Sequence, residues 1–118
     1  MIVLGSRTAV LSPPARFVWK ALMRPDLHPL NRGFVWPVMF HDQSLPRIVE
    51  SSECDRVVWS SPWRQLPDIL LQFDVRPETR LRWTLLAHTP APGLQTVEWL
   101  RDQVSHLVNV DLREATSY

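Results

Sequence analysis

Four histidines are the residues of this chain best suited to move a proton or hold a metal, because imidazole titrates near neutral pH and ligates zinc. Their spacing lacks the zinc-site patterns H-x-x-x-H and H-E-x-x-H, and no pair of cysteines accompanies them. The sequence therefore predicts no metal site. Two of the four stand near the ends of predicted strands, where they could open on a pocket as an acid or a base, although exposed histidines are more common than catalytic ones. The histidines are His28, His41, His88 and His106, and the two near strand ends are His41 and His88.

The other groups that could support catalysis give little indication of a reaction. Cys54 is the sole cysteine, and its acidic neighbours Glu53 and Asp55 do not favour a reactive thiolate. The sequence contains no nucleophile elbow, phosphate-binding loop or dinucleotide fingerprint, and its three glycines give the backbone few places to approach a phosphate. We therefore expect no nucleotide cofactor, and whether the protein is an enzyme stays open.

Composition is that of an ordinary globular domain. The 118 residues carry a formal net charge of +1, and 45% of them are hydrophobic. Arginines are dispersed among acids, which argues against a nucleic-acid partner, although Arg76, Arg80 and Arg82 could form a local basic patch.

The sequence shows no basic leader and no apolar run of about 20 residues, so we expect a cytoplasmic protein without stable membrane insertion. Its length predicts one domain over residues 1–118.

The clearest element is a β-hairpin over Ile69–Thr89, in which two runs alternate apolar and polar residues on either side of a turn at Arg76–Thr79. A period of two is the pattern of a strand with one buried face. Pro77 suits the turn because its φ is already fixed. The predicted buried face consists of Ile69, Leu71, Phe73, Val75, Leu81, Trp83, Leu85 and Ala87.

Further elements are predicted on both sides of the hairpin. An N-terminal strand gives way to a helix over Ala15–Met23, capped by Ser12. An apolar segment, Phe34–His41, is predicted to be extended, and Pro37 within it indicates a sheet edge. Two more strands and a long amphipathic helix complete the chain. Their predicted ranges are Pro46–Glu53, Arg56–Ser60 and Leu94–Tyr118.

Three segments resemble the START-like, or SRPBCC, superfamily. They are AVLSPPARFVWKAL at Ala9–Leu22, similar to the family's strand followed by s-P-x-x-V-W-x-x-L, RLRWTLLAHTP at Arg80–Pro90, similar to its last strand, and WLRDQVSHLV at Trp99–Val108, similar to its gripping helix. The resemblance implies an α+β helix-grip fold, in which a curved antiparallel β-sheet wraps around a long C-terminal α-helix.

The resemblance also implies a pocket between the sheet and this helix that holds a lipid, a polyketide or an aromatic metabolite. The six tryptophans agree with an aromatic pocket wall, although they could equally fill the core. We therefore expect the protein to bind a small hydrophobic molecule, without a cofactor. The predicted lining residues are Trp36, Trp59, Phe73, Trp83, Leu85, His41, His88, Leu100 and Val104.

Several alternatives stay open. The family implied by the resemblance includes polyketide cyclases and aromatases, whose chemistry would here use His41, His88 or Arg82, and co-chaperones that activate a heat-shock ATPase through surface contacts. A strand at a sheet edge also allows a homodimer, formed by edge pairing or by helix packing. An enclosed void would favour ligand binding, whereas a filled interior with an exposed apolar patch would favour a protein partner.

Overall fold

The computed structural model describes residues 1–30, 33, 35–88 and 90–117. The strands are β1 (Ile2–Val10), β2 (Ile48–Ser52), β3 (Arg56–Ser60), β4 (Ile69–Arg76) and β5 (Arg80–Ala87). The helices are α1 (Ala15–Met23) and α2 (Leu94–His106), and α2 runs directly into a π-helical segment (Leu107–Leu112) and a last turn, α3 (Arg113–Ala115). The strands form one antiparallel sheet with the order β1-β5-β4-β3-β2. One core joins residues of the helices to the inward residues of the sheet, which confirms the predicted α+β class.

Strands β4 and β5 form the predicted hairpin, and every residue of its predicted inner face is buried. The turn is a short 3-10 segment, Pro77–Thr79, in which Glu78 and Thr79 have positive φ values of 65° and 49°. Left-handed backbone costs a residue with a Cβ about 1–2 kcal/mol. Hydrogen bonds offset this cost: the Thr79 hydroxyl donates to the Pro13 carbonyl at 2.6 Å, and the Leu11 N–H donates to the Thr79 carbonyl at 3.0 Å.

Helix α1 has the predicted bounds, but its predicted cap is wrong. The N-cap position is Pro14, two residues after Ser12, and no side chain caps the helix. The carbonyl of Pro14 begins the helical ladder by accepting the Val18 N–H at 3.2 Å. The two prolines explain the difference: they carry no N–H, so a side-chain oxygen at Ser12 has fewer amides to accept from.

The segment predicted as a strand over Phe34–His41 is a loop in its described part, residues 35–41, while Phe34 lies outside the described residues. Trp36 explains why the chain leaves the sheet. Its indole N–H donates to the Ala21 carbonyl at 2.8 Å, and its backbone N–H donates to the Pro25 carbonyl at 3.4 Å. These donors therefore hold the segment against α1 and the turn that follows it. Pro37 has no N–H to offer a neighbouring strand.

The predicted C-terminal helix is present, although its middle differs from a regular α-helix. Its buried stripe is apolar along α2 and continues through the π-helical segment, where Asp111 joins Val108 and Leu112 in the interior. Residues 116 and 117 follow the last turn, and Tyr118 lies outside the described residues. No described helix is long and apolar enough to cross a membrane.

The two edge strands of the sheet differ in what covers them. Along β1, Arg101 donates from Nε to the Leu4 carbonyl at 2.8 Å, and Arg113 donates to the Val10 carbonyl at 3.3 Å. Gly5 permits this approach, because a Cβ at that position would lie 2.7 Å from Arg101 Nε. The opposite edge strand, β2, is mostly exposed. Homodimerisation through an edge stays a prediction.

Candidate functional site

The seven apolar residues predicted to line a pocket all belong to one packed core. Ring contacts hold its aromatic part together: the Trp59 ring centroid lies 5.5 Å from that of Trp36 and 4.9 Å from that of Phe73. The Trp59 indole N–H also donates to the Leu22 carbonyl at 2.8 Å. At the centre of the sheet these side chains fill space that a larger cavity would need. The seven are Trp36, Trp59, Phe73, Trp83, Leu85, Leu100 and Val104.

The polar residues that were predicted to line the pocket or to act in catalysis lie outside this core. His41 and His88 are both exposed, and His88 borders a shallow cleft beside Ile69 and Ala87. Arg82 alternates with the buried residues of β5, and its Nε donates to Ser6 Oγ at 2.8 Å on the outer face of the sheet. The structure therefore does not bring these three side chains together with the core aromatics. No group of three or more potential metal ligands occurs among the described residues.

A small cavity of about 40 Å³ remains at one end of the core, where the C-terminal helix faces the loop before β2. Trp59 and Trp63 form part of its apolar wall. A cavity of this size has room for a few water molecules, because about 10–15 Å³ is enough for one. Its other lining residues are Val38, Met39, Phe40, Gln43, Pro62, Gln103, His106, Leu107 and Asp111. We call this space the inner cavity.

Asp111 gives the inner cavity a charged group in a largely apolar wall. The residue is 7% exposed, and its Oδ2 accepts the backbone N–H of Val38 at 3.1 Å. Its Oδ1 lies 3.7 Å from His106 Nε2. Burial raises the pKa of the Asp111 carboxyl above its ordinary 3.8, and the Glu114 carboxylate adds to the rise, while the Val38 N–H and His106 oppose it.

The raised pKa of Asp111 predicts a pH-dependent stability. In the unfolded chain the carboxyl loses its proton near 3.8, whereas the folded state keeps the proton to a higher pH. Between these values the folded state binds more protons, so the contribution of Asp111 to the free energy of unfolding falls as the pH rises. We expect wild type to lose stability relative to Asp111→Asn as the pH rises above 3.8.

Urea unfolding of the two proteins at a series of pH values measures this difference. The variant is the control, because every other carboxylate titrates in both proteins. A stability difference that stays constant across the series would contradict the prediction.

A larger, open cleft of about 380 Å³ adjoins the inner cavity, and Trp63 lines both. The ring of Trp63 meets that of Trp99 edge-on, with centroids 6.3 Å apart and an angle of 61° between the planes. Trp99 is 41% exposed. The remaining wall residues are Asp42, Gln65, Leu66, Gln95 and Thr96. We call this space the outer cleft.

Solved structures of other proteins match this fold over nearly its whole length. A START superfamily protein from Mycobacterium smegmatis matches with a TM-score of 0.59 and 11% identity, over 95% of each chain. A protein from Chromobacterium violaceum gives 0.55 and 16%, also over 95% of each chain. An AHSA1-like protein from Aeromonas hydrophila gives 0.51 and 14%, over 94% of this chain and 90% of that one. The chain has the START-like helix-grip fold.

The START-like assignment confirms the resemblance drawn from the three sequence segments, and it concerns the fold alone. No protein-family model matches the chain. No curated protein matches it either. The inner cavity and the outer cleft lie where the helix, loops and sheet of this START-like fold leave space.

Sequence reasoning missed several residues around these two spaces, although the sequence held signals for two of them. Asp111 falls on the apolar stripe of the C-terminal helix, three residues after Val108, and an acid in that position needs a partner inside the protein. Trp63 stands in a loop bounded by Pro62 and Pro67, where a large aromatic belongs to no strand. Gln43 and Gln103 gave no such signal, since their contact at 3.5 Å joins residues far apart in the chain.

Proposed function

We propose that the protein binds a small hydrophobic molecule in the outer cleft, with one end of the molecule reaching the inner cavity past Trp63. The observation that carries this proposal is that one side chain, Trp63, lines both spaces. Movement of this single indole would join them. The proposal keeps the ligand at the end of the sheet–helix interface, away from the filled centre of the core.

Size and surface chemistry support the outer cleft as the main binding space. Sites for small organic molecules commonly measure about 300–1,000 Å³, and the outer cleft measures about 380 Å³. The inner cavity alone is too small for an organic molecule. The half-exposed ring of Trp99 offers an aromatic surface on which an apolar ring or chain can pack.

The indole N–H of Trp63 indicates that the ligand should carry a hydrogen-bond acceptor. It is buried and has no hydrogen-bond acceptor among the described residues. A buried donor without an acceptor costs about 1–3 kcal/mol. A ligand oxygen that reached this N–H would remove that cost, so the proposal favours a hydrophobic molecule with at least one oxygen.

A panel of lipids and polyaromatic compounds, followed by tryptophan fluorescence and native mass spectrometry, tests the proposal. For a compound that binds, we expect Trp99→Ala to weaken the affinity about tenfold, which corresponds to about 1.4 kcal/mol. Leu94→Ala is the matched control, because Leu94 is an exposed apolar residue of the same helix and does not line the outer cleft.

Two results would count against the proposal. If no compound shifts the fluorescence or adds mass to the protein, hydrophobic-ligand binding is wrong. If Trp99→Ala and Leu94→Ala weaken binding equally, a ligand binds but not in the outer cleft.

A further inference from the structure

The segment of residues 38–41, here called the lid segment, covers the inner cavity and is anchored at both ends. Before it, Trp36 is buried and donates its indole N–H to α1. After it, the backbone carbonyl of Asp42 accepts the Arg64 N–H at 3.2 Å, and the backbone N–H of Ser44 donates to the Pro62 carbonyl at 2.8 Å. These anchors fix where the lid segment enters and leaves the wall of the inner cavity.

One hydrogen bond ties the lid segment to the C-terminal helix within the described residues, the bond from the Val38 N–H to Asp111 Oδ2. The other hydrogen bonds of the lid segment are local: the Phe40 N–H donates to Gln43 Oε1, and the Phe40 carbonyl accepts the Gln43 N–H. Phe40 is 59% exposed although it lines the inner cavity. Little apolar burial therefore holds the lid segment in place.

The carboxylate of Asp111 is incompletely compensated under the closed lid segment. An ionised carboxylate can accept about four hydrogen bonds. From the described residues Asp111 accepts one, from Val38, and its contact with His106 at 3.7 Å is longer than a hydrogen bond. The raised pKa of Asp111 agrees with this shortage of partners. An ionised Asp111 therefore favours any change that brings it a further donor.

We propose that Asp111 is the polar anchor of the ligand, and that a ligand hydroxyl donates to its carboxylate in addition to the Val38 N–H. This inference rests on the proposed function and names the class of ligand: an apolar alcohol or phenol. A hydroxyl both donates and accepts, so this class can donate to Asp111, and it offers the kind of oxygen that the Trp63 N–H requires. The apolar side chains of Val38 and Phe40 line the inner cavity around the hydroxyl-bearing end, while the body of the ligand lies in the outer cleft.

Calorimetric titration with 2-naphthol and 2-methoxynaphthalene tests the anchor, because these probes share a ring system and differ in the hydroxyl. A hydrogen bond to a charged group is stronger than one between neutral groups, so we expect wild type to bind 2-naphthol at least tenfold more tightly. In Asp111→Asn the ratio should fall below about threefold. Asp102→Asn, an exposed acid on the same helix, is the control and should keep the wild-type ratio.

A second measurement needs no variant. In hydrogen exchange of the wild-type protein, 2-naphthol should not speed exchange of the Val38 amide, because the bond from that amide to Asp111 is kept.

The outcomes separate the two proposals. Equal binding of both probes by wild type, or a ratio that survives in Asp111→Asn, overturns the anchor and leaves hydrophobic binding intact. Faster Val38 exchange in the 2-naphthol complex would show that the hydroxyl displaces the Val38 N–H, and it overturns the added donor. If neither probe binds, this inference is wrong; whether the proposed function also fails is decided by the wider panel.

Discussion

Leu100→Ala should lower the free energy of unfolding by about 2–5 kcal/mol. Leu100 is fully buried on α2, in the core that joins this helix to the sheet. Truncation removes apolar contacts from both and leaves a cavity that rigid neighbours cannot fill. A domain of this kind is stable by only about 5–15 kcal/mol, so the loss is a large part of the total. Urea unfolding followed by circular dichroism measures it.

Glu98→Ala is the control for this change, because Glu98 lies two residues away on the exposed side of the same helix. We expect a change within about 0.5 kcal/mol, as for most surface substitutions. If both variants unfolded at the same urea concentration, the packing of α2 described above would be wrong.

Trp59→Ala should be at least as damaging, with an expected loss of about 3–5 kcal/mol. The indole is fully buried between Trp36 and Phe73. Its N–H donates to the Leu22 carbonyl, so truncation also leaves that carbonyl without this donor. The substitution therefore loosens the packing of α1 on the sheet as well as the core itself. The same unfolding experiment, read by circular dichroism, measures the effect.

Trp99→Ala removes the same number of atoms from a half-exposed position and is the matched control. Its edge contact with Trp63 is worth about 0.5–1.5 kcal/mol, so we expect a loss of about 1 kcal/mol. This variant should stay folded at 25 °C, as its use in binding experiments requires. Equal losses for the two tryptophans would contradict the view that burial, and not residue type, sets their contributions.

The local pattern of apolar and polar residues predicted the elements in which all apolar side chains face the core. In the hairpin, strict alternation places every apolar side chain on the same face, and a shift by one residue would expose them all. The bounds of α1 also followed from sequence, because Pro25 prevents Arg24 from continuing the helix. The order of these elements, with the three resembling segments, was enough to indicate the START-like fold.

Local pattern failed where a residue's partner is distant in the chain. The alternation in Phe34–His41 is typical of a strand, yet Trp36 finds its acceptor on α1, and that bond holds the segment outside the sheet. The predicted pocket residues came from the START-like resemblance and from the inward faces of the elements. These arguments identified which side chains face inward, and that they contact a ligand stays a prediction.

The sequence by itself determined the periodicity, the breaks and therefore the layers of this protein, because these depend on neighbours a few positions apart. Only the tertiary structure decided where space remains. Val38 and Asp111 are 73 residues apart, and Gln43 and Gln103 are 60 apart, yet both pairs meet at the inner cavity. A cavity is what packing leaves over, so its position depends on the volumes and contacts of all surrounding side chains at once.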